Sequence, residues 1–568
     1  MNKRPLLFTL LTTLALILIF GMIFFLRGGK NPALDGVTGV RGKSPSLPLT
    51  DMLTPAETLA QDLALSAPRV LDLTTGRKSE VFAIKRVGMD FPEGLEMCAH
   101  RDCRQVEIYL WVENATITTL VNVETREVLD VLYQPGFRPA LSARLMARAA
   151  QIIHAAPEVA ATLGYQPALE DIAPMQGDLL NSSCDGMHIC ASATFPLGER
   201  ILWATADLTE DQFAGLAWSS APAHEGTSEL FIPTACPQPG TLNREGWSVA
   251  YETTPTDGLR LYNLRYNDVL MIQSIKLVEW HVQYGTTGFL DFTGCGGQSG
   301  GNFIASYGET QVLDLLDEES NVIGFEVIQD FRMNNWGLNC NYRYDQHVQF
   351  FADGRFRVVH AAYGKGCGTQ AFYRAVVRID TAIKGQSSDN FAYWDGAQWV
   401  YLLEEDYRVP YQEAGHGPHL TTPEGYAWKV EDVTGGGYYI EMDAGQFGDD
   451  GRGDNPFVYA VQFRLGQGDT DLPLIGTCCN TNHQQGPHAF LNGESIHNEN
   501  LVLWYVSQAM TDAINNTNGF YCWTVSGEPN PETYPCFTGP MFHLIEPVAP
   551  VKFTETYFLP LLLKDGMP

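Results

Sequence analysis

The stretch Asn341-Tyr-Arg-Tyr-Asp-Gln-His-Val-Gln-Phe-Phe-Ala-Asp-Gly354 decides the fold class of this 568-residue chain. Its tyrosines Tyr342 and Tyr344 begin a period of two, which is the pattern of a β-strand with one buried face. Asp353-Gly354 predicts a tight turn, because glycine accepts positive φ. Residues 356–360 then predict the return strand. By itself the stretch predicts a half-buried β-hairpin.

Composition and charge favour a large, mainly β protein. Apolar residues make up 45% of the chain, and its 54 glycines and 32 prolines indicate many turns. The formal charge, 36 − 66 = −30, argues against a nucleic-acid partner, because phosphates require lysine and arginine. A negative field attracts cationic amines, and it equally serves solubility.

The N-terminus predicts a membrane anchor. Residues 5–26 carry no charge and would reach about 33 Å as a helix, enough to cross a bilayer core. No small-x-small cleavage site is evident, so an uncleaved single-pass anchor is predicted, with residues 51–568 outside the cytoplasm. Secretion after cleavage is the alternative.

The twelve cysteines agree with export, because exported proteins can form disulfides. None of them has the spacing of a zinc site. Short loops make three pairs plausible: Cys98 with Cys103, Cys184 with Cys190, and Cys522 with Cys536. The adjacent Cys478 and Cys479 are expected to bond to different partners.

The periodicity divides the chain into a short series of domains. Thr54-Pro55-Ala-Glu57 predicts a capped helix start, and residues 141–163 predict an amphipathic helix capped by Ser142. The predicted parts are an anchor (1–27), a flexible linker (28–50), a small α+β domain (51–135), a second small α+β domain (136–225), a linker (226–245) and a large β domain (246–568).

The opening stretch resembles the cofactor strand of the copper amine oxidases. That strand carries Asn-Tyr-Asp/Glu-Tyr, then aromatics at alternate positions, then Asp-Gly. In the family the first tyrosine is oxidised by copper and O₂ to topaquinone, so the resemblance makes Tyr342 the equivalent position. Asn341 and Tyr344 would flank the cofactor, and Arg343 replaces the usual acidic residue.

Three further tracts are similar to the catalytic domain of the same family, in the same order. They are residues 258–285, 378–385 and 500–505. The resemblance implies a large two-sheet β-sandwich over residues 246–568, preceded by the two small domains. It also implies a homodimer.

The resemblance places the family's three copper-ligand histidines at positions that hold other residues here. His-x-His, seven residues before the Arg-Leu-Asp tract, falls on Ala371 and Tyr373, and the third histidine falls on Met510. If the fold is kept, these three positions should converge near Tyr342. Met510 is either a packing residue or a soft donor for Cu(I).

The family's catalytic base aligns with Asp291, which follows Leu290 and precedes a glycine-rich segment. In the family this aspartate takes the α-proton of the substrate imine. The alternative is an aspartate that caps a turn. Ile304 and Ser306 stand where the family has a Cys-Asp-Cys tract.

Other polar clusters are open to two interpretations each. Asp449, Asp450 and Asp454 form either a calcium site or a solvated turn. The remaining histidines of interest are ligands of a different site or ordinary surface and core residues: His347, His360, His416, His419, His483 and His488.

Two functions follow from the resemblance. The first is a copper amine oxidase-like exported protein without catalysis, acting as a binding or structural exoprotein with no cofactor. The alternative is an active primary-amine oxidase with copper and a quinone made from Tyr342. There Asp291 would take the α-proton, and aldehyde, ammonia and H₂O₂ would be released from small primary amines.

Overall fold

The computed structural model describes residues 44–50, 53–87, 96–186, 188–198, 200–220, 236–295, 303–336, 338–363, 366–368, 371–385, 388–413, 416–442, 453–468, 486–510 and 536–545. The predicted anchor at residues 5–26 lies outside these ranges. Within them, no helix is both long and apolar enough to cross a membrane. The structure is mainly β, as the sequence predicts.

Residues 53–135 form two helices on a four-stranded antiparallel sheet. Thr54 caps the first helix as predicted: its hydroxyl accepts from the amide of Glu57, and the Glu57 carboxylate accepts from the Thr54 amide at 2.7 Å. The elements are α1 Pro55–Ser66, α2 Pro68–Thr74, β1 Ser79–Arg86, β2 Cys103–Leu110, β3 Ala115–Asn122 and β4 Glu127–Pro135, with a 3₁₀ turn at Glu96–Ala99.

Residues 136–220 form a second layer of helix on sheet. Ser142 caps the predicted helix, whose buried face includes Leu145, Ala149 and Ile153. The elements are α3 Ala143–Ala155, α4 Pro157–Leu163, β5 Met175–Leu179, β6 Cys190–Leu197, β7 Arg200–Asp207 and β8 Gln212–Ser220, with a 3₁₀ turn at Leu169–Asp171. The boundaries of the two small domains stay predictions.

The rest of the described chain is strand and turn. Its strands are β9 Gly240–Arg244, β10 Trp247–Thr253, β11 Leu259–Tyr266, β12 Val269–Tyr284, β13 Thr287–Gly294, β14 Phe303–Leu316, β15 Val322–Arg332, β16 Arg343–Phe351, β17 Phe356–Tyr363, β18 Phe372–Thr381, β19 Asp389–Trp394, β20 Trp399–Tyr401, β21 Asp406–Arg408, β22 Tyr426–Asp432, β23 Gly437–Glu441, β24 Phe457–Gln462, β25 Leu501–Met510, β26 Cys536–Thr538 and β27 Met541–Leu544, with a 3₁₀ turn at Pro487–Phe490.

These strands form two extended sheets. The first runs β9-β10-β11-β12-β18-β25-β24-β21, with antiparallel neighbours throughout. The second runs β14-β15-β16-β17, continues through β26 and β27, and ends with β23-β22-β19-β20. Strand β13 belongs to both, because it pairs with β12 and, in parallel, with β14.

The predicted hairpin is confirmed as β16 and β17. Phe350 faces Phe356 across the pair, and Gly354 adopts φ +88° in the turn. The inward faces of the two sheets pack on each other: Trp280 of β12 stacks on Tyr344 of β16, with ring centroids 4.5 Å apart. The candidate site lies in this apolar space between the sheets.

Candidate functional site

Tyr342 lies at the entrance to β16, with its side chain buried between the sheets. Its hydroxyl accepts a hydrogen bond from the amide of Cys367 at 3.1 Å and lies 3.2 Å from the hydroxyl of Tyr284. The Tyr284 hydroxyl lies 2.9 Å from that of Tyr373 and accepts from the same amide at 3.0 Å. Three phenols and one backbone amide therefore form a single hydrogen-bonded cluster, the tyrosine cluster.

Residues 366–368 pack directly against the tyrosine cluster. Gly366 has φ +54°, and a Cβ there would lie 2.1 Å from the Tyr284 hydroxyl and 2.5 Å from Cε1 of Tyr342. A disulfide joins Cys367 to Cys340, two residues before Tyr342, and the Cys340 amide donates to the Gly366 carbonyl at 2.9 Å. Backbone without a side chain is therefore held directly against the phenol rings.

Sequence reasoning missed this closure. It did not single out Tyr284, Gly366 or Cys367, and it left the Cys340–Cys367 and Cys236–Cys295 disulfides unassigned. One signal was present, because Cys340 directly precedes Asn341 and Tyr342. The Cys98–Cys103 and Cys184–Cys190 disulfides were predicted and are confirmed, whereas Cys478, Cys479 and Cys522 lie outside the described residues.

Asp291 lies within strand β13, opposite Trp280, and not at a turn. The turn-capping alternative is therefore wrong. Its side chain is fully buried and accepts a hydrogen bond from the Tyr344 hydroxyl at 2.6 Å. Burial raises the pKa of Asp291 to about 8, although the Tyr344 hydrogen bond opposes this rise. The second carboxyl oxygen, Oδ1, has no hydrogen-bond partner among the described residues.

The groups around Tyr344 are electrically neutral near neutral pH. Burial raises the phenol pKa of Tyr284, Tyr342, Tyr344 and Tyr373 well above 10, so each keeps its proton. His360 lies edge-on to Trp280, and burial lowers its pKa to about 3. The phenols of the tyrosine cluster can hold protons in fixed positions, but none of them is negatively charged near neutral pH.

The positions expected to hold copper ligands do not all converge. Ala371 is buried, and its methyl side chain has no atom that can ligate copper. Tyr373 points inward, with its hydroxyl beside that of Tyr284. Met510 pairs with Phe372, the neighbour of Tyr373, so its side chain lies on the opposite face of the sheet. It is 38% exposed. The residue that pairs with Tyr373 is Ala509, and the expected convergence at Met510 is therefore wrong.

The residues that flank Tyr342 in sequence point elsewhere. Nδ2 of the Asn341 side chain donates to the carbonyl of Asn339 at 3.0 Å. Arg343 lies on the outward face of its sheet, 3.1 Å from Asp330. Tyr344 is the flanking residue that reaches the interior beside Tyr342, with the two rings 6.2 Å apart and nearly parallel.

The other predicted polar residues lie in separate places. Burial opposes protonation of His347, but hydrogen bonds to Asp345 and Glu326 raise its pKa to about 9. Asp454 is buried and accepts from the Tyr505 hydroxyl at 2.6 Å, so it is not part of a solvated turn. His416 and His419 line a surface cavity, and the 3₁₀ turn holds His488. Asp449, Asp450 and His483 lie outside the described residues.

The described residues around Tyr342 do not fit a copper ion. Within the described ranges, a single group of histidine, cysteine or acidic side chains has metal-like spacing: Cys184, Cys190 and Asp207. The two cysteines of that group form a disulfide and supply no thiolate. Protonated phenols are poor substitutes for the neutral imidazoles that suit copper(II).

Comparisons with known proteins find similarity among solved structures. No family model matches the chain, and no curated protein matches it. The similar solved structures include a copper-containing benzylamine oxidase from Hansenula polymorpha, with a TM-score of 0.48 and 14% identity over 85% of this chain and 96% of that chain. A Pichia pastoris lysyl oxidase has a TM-score of 0.46 and 12% identity over 89% of this chain and 91% of that chain. An Aspergillus nidulans amine oxidase has a TM-score of 0.44 and 12% identity over 83% of this chain and 85% of that chain.

Proposed function

We propose that this chain is a copper amine oxidase-like exoprotein that keeps the scaffold without the oxidase chemistry. It acts as a binding or structural protein, and Tyr342 remains an ordinary tyrosine. One observation carries the proposal. The Tyr342 hydroxyl is engaged by Tyr284 and the Cys367 amide, and Gly366 backbone lies against its ring. Among the described residues, that arrangement leaves the buried Tyr342 ring without an exposed side for a metal or an amine.

The chemistry of the surrounding donors supports the same proposal. Oxidation of a tyrosine to a quinone requires copper held beside it, and the cluster around Tyr342 contributes phenols where imidazoles would be needed. The family's ligand positions hold an alanine, a phenol and a methionine on the far face of the sheet.

One observation favours the alternative, an active primary-amine oxidase. Asp291 is buried beside Tyr344 with a pKa of about 8, and a carboxyl with a pKa near neutrality is suited to proton transfer. In that function a quinone formed from Tyr342 would supply the electron sink. Asp291 would hold the abstracted proton, with Tyr344 orienting its carboxylate.

Copper loading in air distinguishes the two functions. Purified full-length protein is incubated with Cu(II), dialysed, digested and examined by mass spectrometry, with Tyr342→Phe as the matched control. We expect the peptide containing Tyr342 to keep its unmodified mass, and we expect no H₂O₂ with methylamine or benzylamine. Stoichiometric copper with an oxygenated Tyr342 peptide, absent from the control, would establish the oxidase instead.

A further inference from the structure

A second site lies apart from the tyrosine cluster. A cavity of about 260 Å³ opens between strands β19, β21 and β22 and the loop that carries His416 and His419. Its walls include three aromatic side chains, Tyr393, Trp394 and Trp428. Aromatic walls with a small number of placed polar groups are typical of small-molecule sites.

Among the described residues that line this cavity, Arg408 is the one arginine or lysine, with 7% of its side chain exposed. Its Nη1 donates to the Asp406 carboxylate at 2.9 Å and to the Tyr407 carbonyl at 2.7 Å. Its Nε is buried and has no hydrogen-bond partner among the described residues. A buried donor without an acceptor is costly, so the structure calls for an acceptor from outside the described chain.

Both of these hydrogen bonds use Nη1, so the Nε–Nη2 edge of the guanidinium has no acceptor among the described residues. Tyr393 supports the guanidinium from one face, with its ring centroid 3.9 Å from the Arg408 carbon. Two parallel N–H groups on a fixed edge match the two oxygens of a carboxylate. One arginine already paired with Asp406 offers too little charge for a dianion such as phosphate.

Three other polar groups of the cavity have neighbours in the described chain, and Nδ1 of one of them, His416, lies 3.3 Å from the Asp406 carboxylate. Oδ1 of Asp395 accepts from the amides of Ala397 and Gln398, each at 2.8 Å. Nε2 of His419 lies 2.7 Å from the Pro456 carbonyl and so carries the proton. The His419 ring packs edge-on against Trp428, with centroids 4.8 Å apart. The cavity therefore combines aromatic walls with several polar groups, and Arg408 supplies its guanidinium edge.

We infer that this cavity binds a small aromatic carboxylate, with its carboxylate on the Nε–Nη2 edge of Arg408 and its ring against Trp394 and Trp428. The inference does not depend on the proposed function, because none of these residues belongs to the tyrosine cluster. It assigns a binding activity to a part of the chain that the oxidase resemblance does not use.

Titration calorimetry on the full chain tests the inference with phenylacetate as the probe and phenylacetamide as its uncharged match. We expect phenylacetate to bind and the amide to bind at least roughly tenfold more weakly, because the amide lacks the second acceptor oxygen and the charge. Arg408→Lys should weaken the binding of phenylacetate by a similar factor, because lysine lacks the two parallel N–H donors of arginine. Arg355→Lys, at an exposed pair with Asp353, is the control and should change nothing.

A second variant keeps the test decisive if Arg408→Lys does not fold. Leu420 lines the cavity and is 43% exposed, so Leu420→Trp adds bulk at the opening without disturbing the core. We expect it to reduce phenylacetate binding while the melting temperature stays at the parent value. The inference is overturned if phenylacetate does not bind, if acid and amide bind equally, or if both variants bind as the parent does.

Discussion

At the scale of single residues, Asp291 combines full burial with an ionisable side chain. It is a carboxyl group placed between two apolar sheets, with the Tyr344 hydroxyl as its hydrogen-bond donor. Desolvation penalises the charged form more than one hydrogen bond can offset, so the folded protein holds this carboxyl protonated up to about pH 8.

This gives Asp291→Asn a defined pH dependence. An aspartate in the unfolded chain has a pKa of about 4. In the folded protein the pKa of Asp291 is raised to about 8. Its contribution to stability is therefore complete below the unfolded pKa and is lost as pH rises through the folded pKa. Between these values the free energy of unfolding of the parent should fall, relative to the variant, by up to about 1.4 kcal/mol per pH unit.

Urea denaturation of the parent and of Asp291→Asn at about pH 5, 6.5 and 8 measures this difference. Asp395→Asn is the control, because hydrogen bonds from backbone amides lower the pKa of that exposed carboxyl, which stays charged over the whole range. Parallel pH profiles for Asp291→Asn and the parent would show that Asp291 is ionised in the folded state.

At the scale of elements, the segment 366–368 covers the tyrosine cluster. Cys340–Cys367 ties it to the start of β16, and the Ser219 hydroxyl of β8 donates to the Cys367 carbonyl. A short piece of backbone thus links the second helical layer, the hairpin strand and the phenols. Glycine is required at position 366 because any Cβ would occupy the space of three phenols.

We expect Gly366→Ala to lower the free energy of unfolding by about 2–5 kcal/mol. About 1–2 kcal/mol comes from an alanine forced into left-handed backbone, and a further 1–3 or so comes from overlap with the rings. Gly285→Ala is the matched control, since Gly285 has φ +56° and nothing within 4 Å of the added Cβ. Urea denaturation compares the two, and equal losses would mean that the phenols can move aside.

At the scale of the whole molecule, the uncharged residues 5–26 and the disulfides of the described chain bear on location, and the family resemblance bears on assembly. Disulfides persist in oxidising compartments. We propose that the chain is anchored by its N-terminus, that residues 51–568 lie outside the cytoplasm, and that the body forms a homodimer.

Fractionation and light scattering test this proposal. The full chain should remain in the membrane pellet after washing with high salt, and a variant lacking residues 1–30 should be soluble and elute with the mass of a dimer. The body should be digested by protease added outside intact cells. A soluble mature form starting near residue 30 would refute the anchor, and a monomeric mass would refute the dimer.

The sequence by itself determined the local features of this protein. The β16–β17 hairpin follows from a period of two that ends in Asp353-Gly354, and the start of α1 follows from the spacing of Thr54 and Glu57. Disulfides across short loops, such as Cys98–Cys103, were predictable for the same reason. In each case the interacting groups lie within a few residues, so the chain's own geometry brings them together.

Tertiary structure alone decided what surrounds Tyr342. Tyr284, Tyr342 and Cys367 meet through strand pairings that span most of the β region, and no local pattern encodes that meeting. The same holds for Met510, where a shift of one residue in register moves the side chain to the other face. The pKa of Asp291 is likewise a property of burial, which depends on how two sheets pack and not on its sequence neighbours.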